Sequence, residues 1–480
     1  MRLERDEIGS LEVPDGVLWG IHGARARQVF RIAGRPVHRD LVRAYGFVKL
    51  AAMRTCREVG GFDRDPEAGE AVLAACREMA DGRLDEEAAT DALQGGAGTS
   101  LNLAVCEVLA NRALVLLGEV PGDHRRVSPL EDLNRFQSTN DTFPTAVRIA
   151  ALWGLKRLEA ALVTLQESFQ RRERDLAHVV KIGRTEMQDA VLVTLGREMG
   201  AYAEAFQRDR WRVYKCAERL RVVPLGGTAV GTGIGAPRRY IFRVVEVLRE
   251  ETGLPLAQAE NLLEATQNAD VFAEVSGILK ACAASLVKVA TDLRLLSSGP
   301  SGGLGEIRLP ARQQGSSIMP GKVNPVVPEA VTQGALRAMA LDVAIGQAAA
   351  MGSLELNPFL PLVADCLLEQ LDLLAACCRS LAGDCVDGLE ADEDRCRALV
   401  ESATATATAL IPRIGHGAAA EVARKARESG RRVREVAVGE GLLSEAEYEE
   451  WTSPERVCRL GSPEVPPEAR RGGGPGRGGT

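Results

Sequence analysis

The sequence predicts an all-α protein built around the long helices of a bundle. Three observations carry the prediction. Aromatic residues make up only 4% of the 480 residues while hydrophobic residues reach 45%. The core must therefore be largely Ala, Leu and Val, and Ala and Leu are strong helix formers. Between Pro255 and Pro300 there is no proline, and Val275, Leu279, Cys282, Leu286, Val289, Leu293 and Leu296 recur in alternating steps of four and three, the period of a bundle helix. Segments 146–180, 188–220, 326–350 and 360–382 are also long, apolar-periodic and almost free of breakers. No alternation of strands with helices is visible, which argues against a Rossmann or barrel architecture.

Taken in order, residues 1–40 hold Gly9, Pro14, Gly16, Gly20, Gly34 and Pro36 and read as short extended or irregular structure. A helical pattern begins near Leu41. Two loops interrupt it, Gln94–Ser100 and roughly Gly118 to Pro144. The bundle segments follow, and from about Ala391 the helices shorten and become more charged. A chain of this length is expected to form two or three domains. The divisions expected are an N-terminal domain over 1–137, a central bundle over 138–390 and a small helical domain over 391–465. The Gly-rich tail 466–480 is expected to be disordered.

Net charge is −7 and the isoelectric point near 5.6, so neither a nucleic acid nor a membrane surface is an expected partner. The charged N-terminus is unlike a signal peptide, no apolar run reaches membrane-spanning length, and a cytoplasmic location is expected. Eleven Cys without a C-x-x-C pair read as buried thiols rather than as disulfides or a zinc site.

Between Gly299 and Pro325 the chain carries six Gly and four Pro, a connection far longer than usual and of the kind that forms lids or binding loops. Its end adds hydroxyls (Ser316, Ser317), a cation (Lys322) and an amide (Asn324), a set suited to carboxylate recognition. The same composition also fits a mobile surface loop. A Walker phosphate loop is excluded, since five residues separate Gly315 from Gly321 and Val323 follows Lys322. Gly231-Thr-Gly-Ile-Gly235 lacks dinucleotide-binding spacing. Gly98-Thr-Ser100, Gln137-Ser-Thr-Asn-Asp141 and Gly183–Asp189 present similar polar groups at the starts of predicted helical runs. Each could bind an oxyanion there or simply cap a helix.

Gly315-Ser-Ser-Ile-Met-Pro-Gly-Lys-Val-Asn-Pro325 resembles, without a break, the signature of the aspartase/fumarase superfamily. The resemblance runs from about residue 3 to 460. In family order it includes Gly95–Ser100, Gln137–Asp141, Gly183–Thr185, Gly227-Thr-Ala-Val-Gly-Thr-Gly233 and Glu355-Leu-Asn357. It implies a three-domain fold, a homotetramer with a twenty-helix core, and active sites each shared by three subunits. The implied reaction is anti elimination across a Cα–Cβ bond through an aci-carboxylate carbanion, with no metal or organic cofactor. By resemblance Ser316 is the base. Lys322, Asn324 and Thr185 would bind the α-carboxylate, and Thr99, Ser138, Thr139 and Ser317 the β-carboxylate. Asn140, with Thr99, would meet the leaving group. Each well-placed donor to the carbanion is worth roughly 3–4 kcal/mol by analogy with oxyanion holes.

Gln94–Ser100, Glu264–Asp270 and Pro325–Glu329 resemble aspartases more than fumarases. The expected activity is therefore that of an aspartate ammonia-lyase, a carbon–nitrogen lyase interconverting L-aspartate with fumarate and ammonia. Fumarate hydratase, another amino-acid lyase and a non-catalytic structural homologue are the alternatives. Glu186 stands where fumarases and some aspartases carry His. A carboxylate is favourable beside an ammonium and unfavourable beside a dicarboxylate, so Glu186 is expected to face a substrate ammonium; otherwise it turns to solvent or a salt bridge. Ser301, where many relatives have Arg, and Val127–Asn134 also depart from the family pattern.

Overall fold

The computed structural model describes residues 1–461. The tail 466–480 and the last residues of the expected C-terminal domain lie outside them. Two antiparallel strands, β1 (Arg2–Asp6) and β2 (Gly9–Val13), open the chain. They lead to α1 (Ile21–Val29), α2 (Arg39–Glu58), α3 (Pro66–Ala80) and α4 (Thr99–Leu116). Next come α5 (Thr139–Asp175), β3 (Val180–Thr185), β4 (Gln188–Thr194) and α6 (Leu195–Leu220). α7 (Arg238–Thr252), α8 (Leu262–Gln267), α9 (Asp270–Leu296), α10 (Val326–Ala350) and α11 (Leu360–Ser380) complete the larger helices. Short helices occupy the stretch from Glu393 to Cys458. The fold is mostly helical, as its composition requires.

The heptad expectation holds in detail. Val275, Leu279, Cys282, Leu286, Val289, Leu293 and Leu296 are all buried on one face of α9, and full burial of a Leu or Val stabilises by about 1.5–3 kcal/mol. The segments 326–350 and 360–382 emerge as α10 and α11. The helix expected from 146 begins earlier, at Thr139, with Pro144 inside it. Thr142 and Thr145 return their hydroxyls to the carbonyls of Ser138 and Asp141 and tighten that first stretch. The Gly96–Leu116 segment is apolar enough by composition to cross a membrane, yet 67% of it is buried inside the fold, as befits a core helix. Ten of the eleven cysteines are buried and all are free.

Two expectations are corrected. Residues 188–194, expected to open a helix over 188–220, instead form β4 of an antiparallel hairpin with β3, and the helix starts at Leu195. The turn consists of Glu186 (φ 51°) and Met187 (φ 64°), the pair of left-handed residues that a two-residue hairpin loop requires. Asn and Gly usually signal such a turn, and neither is present. The second correction is α1, which lies in a stretch expected to be irregular. Its N-terminal N–H groups are satisfied by carboxylates from elsewhere. Gly20, His22 and Gly23 donate to Glu107, and Ile21 donates to Glu4. These four bonds replace an N-cap side chain.

The chain divides into two compact units. The first comprises Met1–Ala160, Arg210–Ala284 and Gly334–Ala375, and the second Ala161–Asp209, Ser285–Gln333 and the chain from Ala376 on. In the first, the buried Gln370 amide on α11 donates to the carbonyls of Ala338 on α10 and Ser276 on α9. In the second, Phe169 on α5 stacks on Phe206 of α6, centroids 5.7 Å apart. The second unit also holds a small core of its own near the C-terminus, with Leu410, Val422, Val436, Tyr448 and Trp451 at its centre.

Candidate active site

The ten expected site residues fall into two groups. Thr99, Ser138, Thr139 and Asn140 belong to the first unit. Thr185, Glu186, Ser316, Ser317, Lys322 and Asn324 belong to the second.

In the first unit the starts of α4 and α5 meet. Gly98, with φ +95°, lies so close to Phe143 that a Cβ there would sit 2.1 Å from the ring. Only glycine fits this turn. Gln94 holds the preceding loop, donating to Thr90 and Asp91 and accepting from the Leu101 N–H. Thr99 is exposed at the first position of α4, its hydroxyl donating to Gly96 O. Ser138 caps α5 by accepting from the Asn140 N–H at 3.2 Å. Beneath these residues the fully buried Lys49 donates to Leu133 O, Asn134 and Gln137. That network holds the chain entering α5 from inside the core.

Asn140 is the most informative of the four. Its Nδ2 donates to Ala229 O at 2.7 Å. A carbonyl only accepts, so the amide's orientation is decided and Oδ1 faces away from that contact as an acceptor. Asp141 beside it is 0% exposed. Its Oδ1 accepts from the Ser138 N–H at 3.0 Å, and its Oδ2 from Gly226 and Thr228 at 3.2 and 3.0 Å. Burial pushes its carboxyl up to about 7, against the pull of those three N–H groups. Sequence reasoning quoted Asp141 and the Gly227–Gly233 motif and gave neither a role. The structure joins them, and their common presence in family order was the only signal available.

In the second unit, Thr185 and Glu186 lie exposed at the tip of the β3–β4 hairpin. Glu186 makes no hydrogen bond or ion pair among the described residues. Non-glycine residues at positive φ cost about 1–3 kcal/mol and concentrate at functional sites. The base of this hairpin is locked. Arg184 donates to both oxygens of Glu306 at 2.9 and 3.0 Å, and the buried Lys181 pairs with Glu306 and Glu198. Glu306 is itself 0% exposed and lies within the long loop that ends at Pro325.

That loop folds back on itself. Gly315 donates to Lys322 O at 3.0 Å, and a Cβ on Gly315 would lie 2.1 Å from that oxygen. Asn324 Nδ2 donates to Gly315 O at 2.8 Å, which leaves its second N–H for a ligand. Ser316 Oγ accepts from the backbone N–H groups of Ile318 and Met319 at 3.2 and 3.1 Å. Two donors aimed at a hydroxyl oxygen favour its alkoxide, which is what a serine acting as a base needs. Ser317 and Lys322 are exposed. A cleft of about 970 Å³ opens beside the loop's end, lined by Ser297, Ser298, Lys322, Asn324 and Glu329 among others.

Of the four polar segments expected at helix starts, those of Thr99 and Ser138–Asn140 are at helix N-termini, and Asn324 lies two residues before α10. Thr185 is not; it ends a strand.

Comparison with known proteins bears on the reading of this site. The family described as Lyase matches residues 9–340, and that described as Fumarase C C-terminus matches 407–459. An aspartate ammonia-lyase from Pseudomonas canavaninivorans is 44% identical over 459 residues, covering 95% of this chain and 96% of that protein. A class II fumarate hydratase from Ralstonia nicotianae is 40% identical over 457 residues, covering 95% and 99%. The crystal structure of a fumarate lyase:delta crystallin from Brucella melitensis bound to cobalt superposes with a TM-score of 0.92. It is 42% identical, with 96% of this chain and 100% of that one covered. Aspartate ammonia-lyases from several bacteria are similar to this chain at 39–44% identity over nearly its full length, and the hydratase stands as the alternative.

Proposed function

This chain belongs to the aspartase/fumarase family of lyases, and on that premise we propose that it is an aspartate ammonia-lyase, a carbon–nitrogen lyase that converts L-aspartate reversibly to fumarate and ammonia. The observation that carries the choice of leaving group is the orientation of Asn140. With Nδ2 committed to Ala229 O, Asn140 offers the leaving group an acceptor, and an ammonium is all donor. Glu186, a carboxylate at the hairpin tip where fumarases and some aspartases have His, is electrostatically matched to the same cation.

Ser316 removes the proton from the carbon beside the β-carboxylate, its alkoxide held by the N–H groups of Ile318 and Met319. Lys322, the second N–H of Asn324 and Thr185 hold the α-carboxylate. Thr99, Ser138, Thr139 and Ser317 hold the β-carboxylate, on which negative charge builds as the carbanion forms. The substrate's amino group is already an ammonium and departs as neutral ammonia, taking the C–N electron pair, so no acid is needed at that step. Closure of the Gly-rich loop over substrate excludes water.

The active assembly is a homotetramer in the cytoplasm, with each site built from three subunits. One feature of α10 supports assembly. Leu336, Ala340, Val343, Gln347 and Ala350 form an exposed, mostly apolar stripe at heptad spacing, opposite the face buried in this chain. Such a face needs a partner. The test of the activity is absorbance of fumarate formed from L-aspartate and, separately, from L-malate. Turnover of aspartate is expected, with Ser316→Ala reducing it by roughly 10²–10⁴-fold. Turnover of malate alone would move the chain to the hydratases.

A further inference from the structure

The residues that present Asn140 to the leaving group point to a second, hidden participant. Asn140 and Asp141 are adjacent on the first turn of α5, and both grip the same turn, Gly226–Ala229. Asn140 grips it as a donor, through Ala229 O at 2.7 Å. Asp141 grips it as an acceptor, through the N–H groups of Gly226 and Thr228 at 3.2 and 3.0 Å. The N–H groups converge as in an anion-binding nest, and the anion that fills it is the Asp141 carboxylate.

The turn is not one the chain would adopt unaided. Thr228 sits at φ 54°, an outlier for a β-branched residue, and its buried hydroxyl has no hydrogen-bond partner among the described residues. Gly226, at φ 97°, and Gly231, where a Cβ would lie 2.3 Å from Leu263, admit no side chain without strain. A strained turn persists where its surroundings over-determine it, and here the carboxylate supplies two of the bonds that do so.

We propose that Asp141 is a positioning residue: by holding the Gly226–Ala229 turn it fixes the direction of Ala229 O, and through it the Asn140 amide that the departing ammonia meets. The proposal rests on the ammonia-lyase reading. Without the carboxylate the turn relaxes, Ala229 O swings, and the Asn140 amide is free to rotate its donor toward the ammonium. The Gly227–Gly233 motif then has a role in the reaction that requires no contact with substrate.

The test is a double-mutant cycle on the amination of fumarate, with ammonia and fumarate varied separately. Wild type and Ser316→Ala are run first; no ammonia-dependent turnover by wild type would sink the underlying reading, whatever the cycle shows. Asp141→Ala is expected to lower kcat/KM for ammonia about tenfold or more, the scale on which a misplaced site group acts. In an Asn140→Ala background the same change is expected to cost less than twofold, because the residue it acts through is gone. Equal losses in both backgrounds would make Asp141 merely structural and overturn the proposal. If Asp141→Ala does not fold, Gly226→Ala strains the same turn from its other side and carries the same cycle. Additive losses there overturn the proposal equally.

Discussion

At the scale of the residue, two carboxylates bear on the proposed activity. Glu186 is exposed at a strained hairpin tip and has no partner among the described residues. If it faces the substrate ammonium, Glu186→Gln raises KM for L-aspartate by severalfold, as loss of a charge partner in a partly screened site should. An unchanged KM would return Glu186 to solvent. Asp141 is its buried counterpart, and its pH dependence has two opposed consequences. Its folded pKa, about 7, lies above the ordinary value of 3.8. Stability from this group is therefore complete below the unfolded pKa and lost as pH rises through about 7. Its clamp on the turn, however, is complete only when both oxygens are free to accept, which is above about 7. Lys49 and Tyr45 on α2 and Tyr240 on α7 face it. Lys49 pulls the carboxyl down, and burial holds both phenols well above their ordinary range, so neither ionises in this window. Activity with ammonia is expected to fall as pH drops through 7, and Asp141→Asn to flatten that limb of the kcat/KM profile. An identical acid limb in the variant would place the titration elsewhere.

At the scale of the element, the loop from Ser297 to Pro325 and the β3–β4 hairpin show how irregular structure is held to a defined geometry. The loop's end is stitched by Gly315 to Lys322 O, Asn324 to Gly315 O, and two N–H groups to Ser316 Oγ. Gly315→Ala places a Cβ 2.1 Å from Lys322 O and forces this stitch apart. The expected outcome is loss of aspartate turnover by about 10²-fold or more, with the thermal midpoint changed by only a few degrees because the loop is exposed and outside the core. A matched fall in both would show that the loop also supports the fold. The same elements mark the limit of local reasoning. The loop and its polar end were legible because Gly, Pro and the Ser-Ser…Lys…Asn pattern are local signals. The hairpin was read as a helix start because Glu-Met is not a turn signal. Its φ values are maintained instead by strand pairing and by Arg184 and Lys181 on the buried Glu306.

At the scale of the whole molecule, the helices carry apolar faces beyond those this chain buries. On α10 Leu336 is 52% and Val343 59% exposed, one heptad apart. The proposed homotetramer would cover such faces, and Val343→Glu tests it. The variant is expected to shift the mass measured by light scattering from tetramer to smaller species and to lose activity in proportion. A tetramer with normal turnover would exclude this face from the interface.

What the sequence determined by itself is what depends on local repetition and on motif. The heptad of α9, the extents of α10 and α11, the buried cysteines and the family's polar segments can all be read from neighbouring residues. Periodicity states which face of a helix is apolar, and the motifs state which chemistry is present. The tertiary structure alone decided where bonds join residues distant in sequence. Glu107 and Glu4 cap α1, which follows Gly20, contains Gly23 and has no side-chain cap of its own. Asp141 and Asn140 grip a turn some 85 residues away, and that contact decides which end of the Asn140 amide meets the Ala229 carbonyl. A side-chain amide has a donor end and an acceptor end of nearly equal size. Only the carbonyl it meets across the fold selects between them.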